Sequence, residues 1–345
     1  MAANVATSGS SGKKRGQIRP LRPNDLPQVA ALYERVVRSG ATPPPAGLLD
    51  DLERMFVASP CIDPPIPSLV YEDADGLIAG FLGIYVRQMQ LGNTSIRMAC
   101  SGQLVVDESS RSRGVAVFLM RTYLDGPQEL SITDGASVTV ARLWERLGGQ
   151  TCHLRCLQWT RTLRPFSRFI QAVGRASAIG KPVAAFGQPF ACLCDSASQP
   201  FMPRFKNTPG LTTCELRVSD MVETWDAITT KCPLKMEYGE TYLNWLFGEL
   251  RRIRSRGRLH AQSVNNRLGE TLGWFIFYER DRGRATLLQL IAKDGWMDDI
   301  LNSLFQYTAD LGCAAISGRL EPELAEAVRG AGCELQFGSA RSLIH

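Results

Sequence analysis

A chain of 345 residues, 44% hydrophobic and 21% charged, is long enough for two domains that each bury a core, and its composition excludes wholesale disorder. No apolar run approaches the roughly 18 residues that span a bilayer, and residues 1–16 lack the apolar stretch of a secretory signal, so a cytoplasmic location with reduced cysteines is expected. The net charge of +5 is concentrated: Thr151 to Cys194 holds six basic residues and no acid, the leader adds Lys13, Lys14 and Arg15, and the remainder is slightly acidic, which does not suggest a nucleic-acid partner.

Residues 1–16, rich in Ser, Gly and Ala, read as a disordered leader. Gln17 to Leu21 is a first short strand, and Asn24 or Asp25 caps a helix with apolar positions Val29, Leu32 and Val36. A turn at Pro43 to Pro45 precedes a second helix, about Leu48 to Ala58. Strand-like runs at Ser68 to Tyr71 and Leu77 to Val86 flank the hairpin signal Asp73-Ala-Asp-Gly76, and a third strand covers Ser95 to Val106. There the pattern changes. The apolar strand end Leu104 to Val106 gives way to a polar turn with Arg111, Arg113 and Gly114, then to the helical spacing of Val117, Met120 and Tyr123. The first N–H groups of such a helix have no intrahelical partner, and the helix dipole adds positive potential, so this junction suits a phosphate. A strand at Leu130 to Ile132, a helix from Ser137 to Leu147 and a last strand from Thr151 to Trp159 complete the first half.

The order β-α-α-β-β-β-α-β-α-β, with Arg111-Ser-Arg-Gly-Val-Ala116 at the central junction and Ala141-Arg-Leu-Trp-Glu-Arg-Leu-Gly148 in the last helix, resembles the GNAT family of acyl-CoA-dependent N-acyltransferases. The resemblance covers Gln17 to Thr160. It implies that the amides of Arg111, Ser112, Arg113, Gly114, Val115, Ala116 and Val117 cradle a CoA pyrophosphate. It also implies that Leu104, Val105 and Val106 hydrogen-bond the pantetheine as an added strand. Acetyl-CoA or another acyl-CoA is then the co-substrate.

The second half repeats the outline: a strand at Thr213 to Val218, helices from Ser219 and near Thr241 to Arg254, three strand-like runs, a helix from Met297 to Leu311, a strand at Ala314 to Ser317 and a helix from Pro322 to Ala331. It resembles a degenerate GNAT unit. Its junction, Ala292-Lys-Asp-Gly-Trp-Met-Asp-Asp-Ile300, lacks the glycine pattern, and Asp294, Asp298 and Asp299 would repel a pyrophosphate. The expected fold is therefore mixed-sheet α/β (α+β), with two GNAT-like domains in tandem. The expected boundaries are a leader (1–16), a CoA-binding domain (17–160), a basic connector (161–204) with an amphipathic helix at Phe166 to Ala176, and a degenerate domain (205–345).

Acyl transfer to an amine needs a deprotonated amine, a polarised thioester carbonyl and departure of a thiolate. The family's tyrosine acid is replaced here by Trp144, whose indole N–H donates a hydrogen bond but is no acid at neutral pH. Tyr123 is a substitute acid, with core packing as its plainer role. The central strand around Cys100, Ser101 and Gln103 has no carboxylate, which leaves Asp107 or Glu108 as the base, with a solvated strand end as the plainer role. No metal is expected: alternation along a strand would separate His153 from Cys152 and Cys156. The cluster Arg251, Arg252, Arg254, Arg256 and Arg258 reads as a solvated helix end, or as a site for an acidic acceptor walled by Tyr238, Tyr242 and Trp245.

The sequence thus points to a cytoplasmic acyltransferase that moves an acetyl or other short acyl group from CoA to a small-molecule or peptide amine by direct attack. The C-terminal unit would shape the acceptor pocket or a homodimer surface. The alternatives are a non-catalytic acyl-CoA sensor or interaction protein, and a tandem unit of the peptidoglycan aminoacyl-transferase kind.

Overall fold

The computed structural model describes residues 16–38, 46–111, 114–168, 191, 194–195, 208–280 and 283–345. The chain forms two compact units, one of Met1–Gln88, Ile96–Gln150 and Leu343–His345, the other of Met89–Ser95 and Thr151–Ser342. The first unit contains β1 (Gln17–Pro20), α1 (Leu26–Tyr33), α2 (Ala46–Phe56), β2 (Leu69–Glu72), β3 (Ile78–Leu91), β4 (Thr94–Val106), a one-turn α3 (Glu108–Arg111), α4 (Val115–Leu124), β5 (Leu130–Ala136), α5 (Val138–Arg146) and β6 (Gln150–Thr151). The second contains β7 (Leu157–Thr162), β8 (Thr212–Glu215), α6 (Val218–Ile228), β9 (Leu234–Met236), α7 (Glu240–Arg252), β10 (Arg258–Asn265), β11 (Thr271–Arg280), β12 (Arg284–Ala292), α8 (Met297–Asp310), β13 (Ala315–Arg319), α9 (Ala325–Gly330) and β14 (Glu334–Phe337). A last strand, β15 (Arg341–Ile344), closes the sequence.

Both sheets are mixed, and helices cover both faces of each. In the first, of order β1-β2-β3-β4-β5-β15-β6, α1 and α2 bury Val29, Leu32, Leu52 and Phe56 against Val70 and Phe81, while α4 and α5 bury Leu119, Met120 and Trp144 against Leu82 and Ala99. In the second, of order β14-β7-β13-β12-β11-β10-β8, α8 and α9 cover one face with Phe305 and Val328, and α6 and α7 the other with Trp225 and Phe247. The tip of the β3–β4 hairpin belongs to the second unit, where Met89 to Leu91 pair antiparallel with β9.

The expected break at residue 160 falls inside a strand. The anticipated last strand, Thr151 to Trp159, is a two-residue β6, a 3-10 turn at Leu154–Cys156 and then β7, which pairs with β13 and β14 in the second sheet. The position beside β5 is filled instead by the chain's final strand: Ser131 N donates to His345 O, and His345 N to Ser131 O, each at 2.8 Å. Each sheet therefore takes one interior strand from the far half of the sequence.

The basic run after β7 also has a structural explanation where it is described. Arg161 Nη1 donates to Ala331 O and Gly332 O at the end of α9, and Arg164 Nη2 donates to Ala309 O at 3.1 Å near the end of α8. Cations there complement the negative helix ends. Of the helix expected at Phe166 to Ala176, residues 165–168 are helical and the rest lies outside the described residues.

Candidate functional site

The parallel pairing of β4 with β5 runs from Met98↔Leu130 to Ser101↔Thr133, yet β4 continues five residues further, to Val106. Thr133 Oγ1 donates to Ser101 O at 2.8 Å, closing the ladder, and Gly135, one residue before the end of β5, takes φ +97°. Along β4 the side-chain phase also slips. Ala99 and Val106 both join the α4–α5 core, an odd separation that strict alternation forbids, and Val105 joins the opposite core. A one-residue irregularity between them, as in a bulge, re-aims the end of the strand. Leu104, Val105 and Val106 thus lie on a stretch of β4 beyond its pairing with β5.

The turn after β4 leads directly into α4. Gly114, at φ +73°, sits at the helix N-cap, and no side-chain hydrogen bond caps this end. The first intrahelical bond is Phe118 N to Gly114 O, 3.1 Å, so the amides of Val115, Ala116 and Val117 have no helical acceptor. Val115 is core and packs close over Gly80, Ala116 is half-buried and Val117 is exposed, so their contribution to an anion is backbone only. Ser112, Arg113 and the Arg111 side chain lie outside the described residues.

The candidate acid and bases occupy other positions. The Tyr123 hydroxyl is buried between the two parallel strands, 2.7 Å from Ala99 O and 3.1 Å from Ile132 O. Burial raises the pKa of the phenol well above its ordinary value, with Cys100 adding to the effect. The Tyr123 hydroxyl donates to these backbone carbonyls, and the ring packs in the core. Trp144 is likewise fully buried, and its Nε1 donates to Ile344 O at 3.1 Å. Asp107 caps the α3 turn: its Oδ1 accepts from Ser109 N at 3.1 Å and Ser109 Oγ at 2.7 Å. Those bonds, with Arg35 at 3.4 Å, hold the carboxyl below the usual carboxylate range and make it a weak base. Glu108 is exposed on the same turn.

Tyr85, which no local pattern in the sequence singles out, lies beside β4 on the α1–α2 face. A Cβ on Gly102 would come 2.8 Å from Tyr85 Cε2, so glycine is what lets the Tyr85 ring lie over the strand. Tyr85 stacks on Phe56, ring centroids 5.1 Å apart, and burial raises its pKa, with Cys100 and Cys61 contributing. Burial also pushes the Cys100 thiol up to about 12, with Asp134 reinforcing the shift. Arg87 Nη1 lies 3.3 Å from Cys61 Sγ. On this flank burial thus favours the neutral forms of the Tyr85 phenol and the Cys100 thiol. Gln103 Oε1 is buried with no hydrogen-bond partner among the described residues, an acceptor whose partner a ligand N–H would supply. The isolated glycine in a strand was the sequence signal for this flank.

The second sheet repeats the geometry without the same turn. The parallel pairing of β12 with β13 ends at Thr286↔Ser317 while β12 runs on to Ala292. The helix that follows, α8, carries Asp298 and Asp299 in its first turn, and Asp294 pairs with Lys231 at 2.5 Å. Tyr238, expected as a pocket wall, packs tilted against Trp225 with ring centroids 4.1 Å apart and accepts from Gln289 Nε2 at 2.8 Å. Among the described residues no group of three or more His, Cys, Asp or Glu gathers as a metal site, and no helix is long and apolar enough to cross a membrane.

No family model matches the chain, and no curated protein matches it in sequence. Solved structures do match in fold. A conserved protein of unknown function from Enterococcus faecalis V583, described as a probable N-acyltransferase, superposes with a TM-score of 0.60 at 10% identity, covering 95% of this chain and 71% of that one. A GCN5-related N-acetyltransferase from Kribbella flavida gives 0.57 at 14% identity over 95% and 71%. Saccharomyces cerevisiae N-myristoyltransferase with bound myristoyl-CoA gives 0.55 at 10% identity over 99% and 80%. At these identities the likeness is one of fold. The fold, with its two mixed sheets, is similar to that of these proteins.

Proposed function

We propose that this protein is a cytoplasmic acyltransferase that moves an acetyl or other short acyl group from acyl-CoA to an amine. The observation that carries the reading is the parting of β4 from β5 beyond Ser101, next to the uncapped start of α4. Pantetheine adds to β4 along Leu104, Val105 and Val106. The pyrophosphate sits on the amides of Gly114, Val115, Ala116 and Val117, with Arg111, Ser112 and Arg113 completing the cradle. Gln103 Oε1 accepts from an amide N–H of the ligand. The amine nitrogen attacks the thioester carbonyl, the C–N bond forms and the C–S bond breaks; Tyr85, beside β4, gives its phenol proton to the departing sulfur, and the proton lost by the amine restores the phenol. Titration of the full chain with acetyl-CoA by calorimetry tests the reading: saturable binding that Gly114→Ala weakens supports it, and no binding by the intact chain removes it.

A second reading, an acyl-CoA sensor without turnover, draws support from three side chains committed elsewhere. Tyr123 and Trp144 are core residues, and Asp107 is a cap. It predicts acetyl-CoA binding with no thiol release across a broad panel of amines.

A further inference from the structure

The eight residues that close α7 and lead into β10, Arg251-Arg-Ile-Arg-Ser-Arg-Gly-Arg258, hold five arginines, and no acid occurs between Leu250 and Gly269. Arg251 and Arg252 occupy the last turn of α7, where cations complement the helix dipole, and Arg252 pairs with Glu249. Arg251 also lies over the Phe247 ring, 5.6 Å from its centroid. The helix end accounts for these two. Arg254, Arg256 and Arg258 come after it, all are exposed, and none forms an ion pair among the described residues.

The fold gathers these charges on one rigid face. Tyr278 OH donates to Leu250 O at 2.6 Å and fixes the end of α7 to β11. Gly257, at φ +103°, turns the chain tightly against the end of β11: a Cβ there would overlap Glu279 O and stand 3.0 Å from Arg280 Cα. Arg280, exposed and likewise outside any ion pair among the described residues, therefore joins Arg256 and Arg258 beside that turn. The neighbouring carboxylates are engaged, Glu249 with Arg252, and Glu279 with His260 Nε2 at 2.9 Å. Among the cations Ile253 stands 37% exposed. Like charges held together repel, a cost that an anionic surface offsets.

We propose that this face docks on an anionic phospholipid membrane surface, with the arginines on lipid phosphates and Ile253 at the edge of the acyl region. Guanidinium forks match phosphate oxygens, and every cation of the stretch is arginine rather than lysine. An exposed apolar side chain among cations suits the boundary between headgroups and acyl chains. A single-stranded nucleic acid would call for exposed rings to stack its bases, and residues 251–258 contain none. The face lies wholly in the second unit, so the proposal does not depend on acyl transfer.

Co-sedimentation of the full chain with phosphatidylcholine vesicles, alone or mixed three to one with phosphatidylglycerol, tests it. Binding to the mixed vesicles and not to phosphatidylcholine alone is expected. Each arginine near an anionic bilayer contributes a factor of about five, so the double variant Arg254→Gln/Arg256→Gln should bind about twentyfold more weakly. Ile253→Ser leaves the charge unchanged and should weaken binding by about threefold. Raising the salt from about 0.1 to about 1 M shortens the screening length from about 10 to about 3 Å and should release the protein. No binding of the unmodified chain to the mixed vesicles overturns the proposal, as does unchanged binding by either variant. Displacement from the vesicles by an oligouridylate at equal phosphate concentration would assign the face to nucleic acid and also overturns it.

Discussion

The indole nitrogen of Trp144 donates to the carbonyl oxygen of Ile344, a residue 200 positions later in the chain. The ring is fully buried against Tyr123, and a Cβ on Gly149 would overlap it. Trp144→Phe keeps most of the apolar bulk and removes the bond, so it should cost about 1 kcal/mol, whereas Trp144→Ala should cost about 3–5 kcal/mol. Urea denaturation followed by circular dichroism measures both. Equal losses in the two variants would show that the bond to Ile344, rather than packing, holds this corner.

Tyr123→Phe separates a structural from a chemical role. The variant loses the bonds to Ala99 O and Ile132 O and should be destabilised by about 0.5–1.5 kcal/mol. Any acyl-transfer rate should keep its magnitude and its pH profile. A hundredfold fall in rate with a lost alkaline limb would assign Tyr123 to the chemistry.

Gly114→Ala introduces a side chain at φ +73°. The nearest atom to the new Cβ is Phe118 Cε2 at 3.7 Å, an ordinary contact, so the penalty is backbone strain of about 1–2 kcal/mol. The helix start should reorganise and acetyl-CoA affinity should fall, with the melting temperature lowered by only a few degrees. Calorimetry and a thermal melt on the same sample read the two effects apart.

Asp25 makes one pH dependence explicit. Arg19 binds its carboxylate at 2.6 and 2.8 Å, and that contact, aided by Arg22 N, holds the carboxyl below the usual range in the folded chain. A folded value below the unfolded value of about 3.9 means the stabilisation is complete at neutral pH and is lost as pH falls through the folded value. Asp25→Asn should therefore be less stable than the unmodified chain by about 1.5–3 kcal/mol at pH 7. The two should converge in strong acid. Denaturant titrations at both pH extremes give the comparison, and a constant gap would refute the linkage.

Thiol reactivity should follow burial. Cys100, pushed up to about 12, should resist iodoacetamide in the native chain at pH 7, while the exposed Cys214 should label readily. Mass spectrometry of the digested, labelled protein locates the adducts. Rapid native labelling of Cys100 would mean that the β4 flank opens far more than its packing implies.

The strand-to-helix junction was legible because its signals are local: apolar alternation to Val106, a glycine that can take positive φ, and helical spacing from Val115. The repeat in the second half was legible for the same reason. The strands β14 and β15 were not, because Glu334 to Phe337 and Arg341 to Ile344 are short and their partners lie far away in sequence. Nothing local distinguishes a strand that pairs at home from one that pairs in the other sheet. The contacts of Asp107 are not legible for a related reason: Ser109 and Arg35 hold it, and only the fold brings Arg35 to it. Tyr85 was missed because its significance depends on Gly102, one strand away.

The exchanged strands set an order of events during synthesis. The gap between β5 and β6 stays unfilled until residues 343–345 have been made, although every other strand of that sheet's main path emerges in the first half of the chain. A nascent chain must wait through the production of the second unit with two unsatisfied strand edges and the Trp144 pocket open. Such a species is exposed to mispairing and aggregation, so shortening the chain by its last three residues should lower soluble yield far more than the small number of lost contacts suggests.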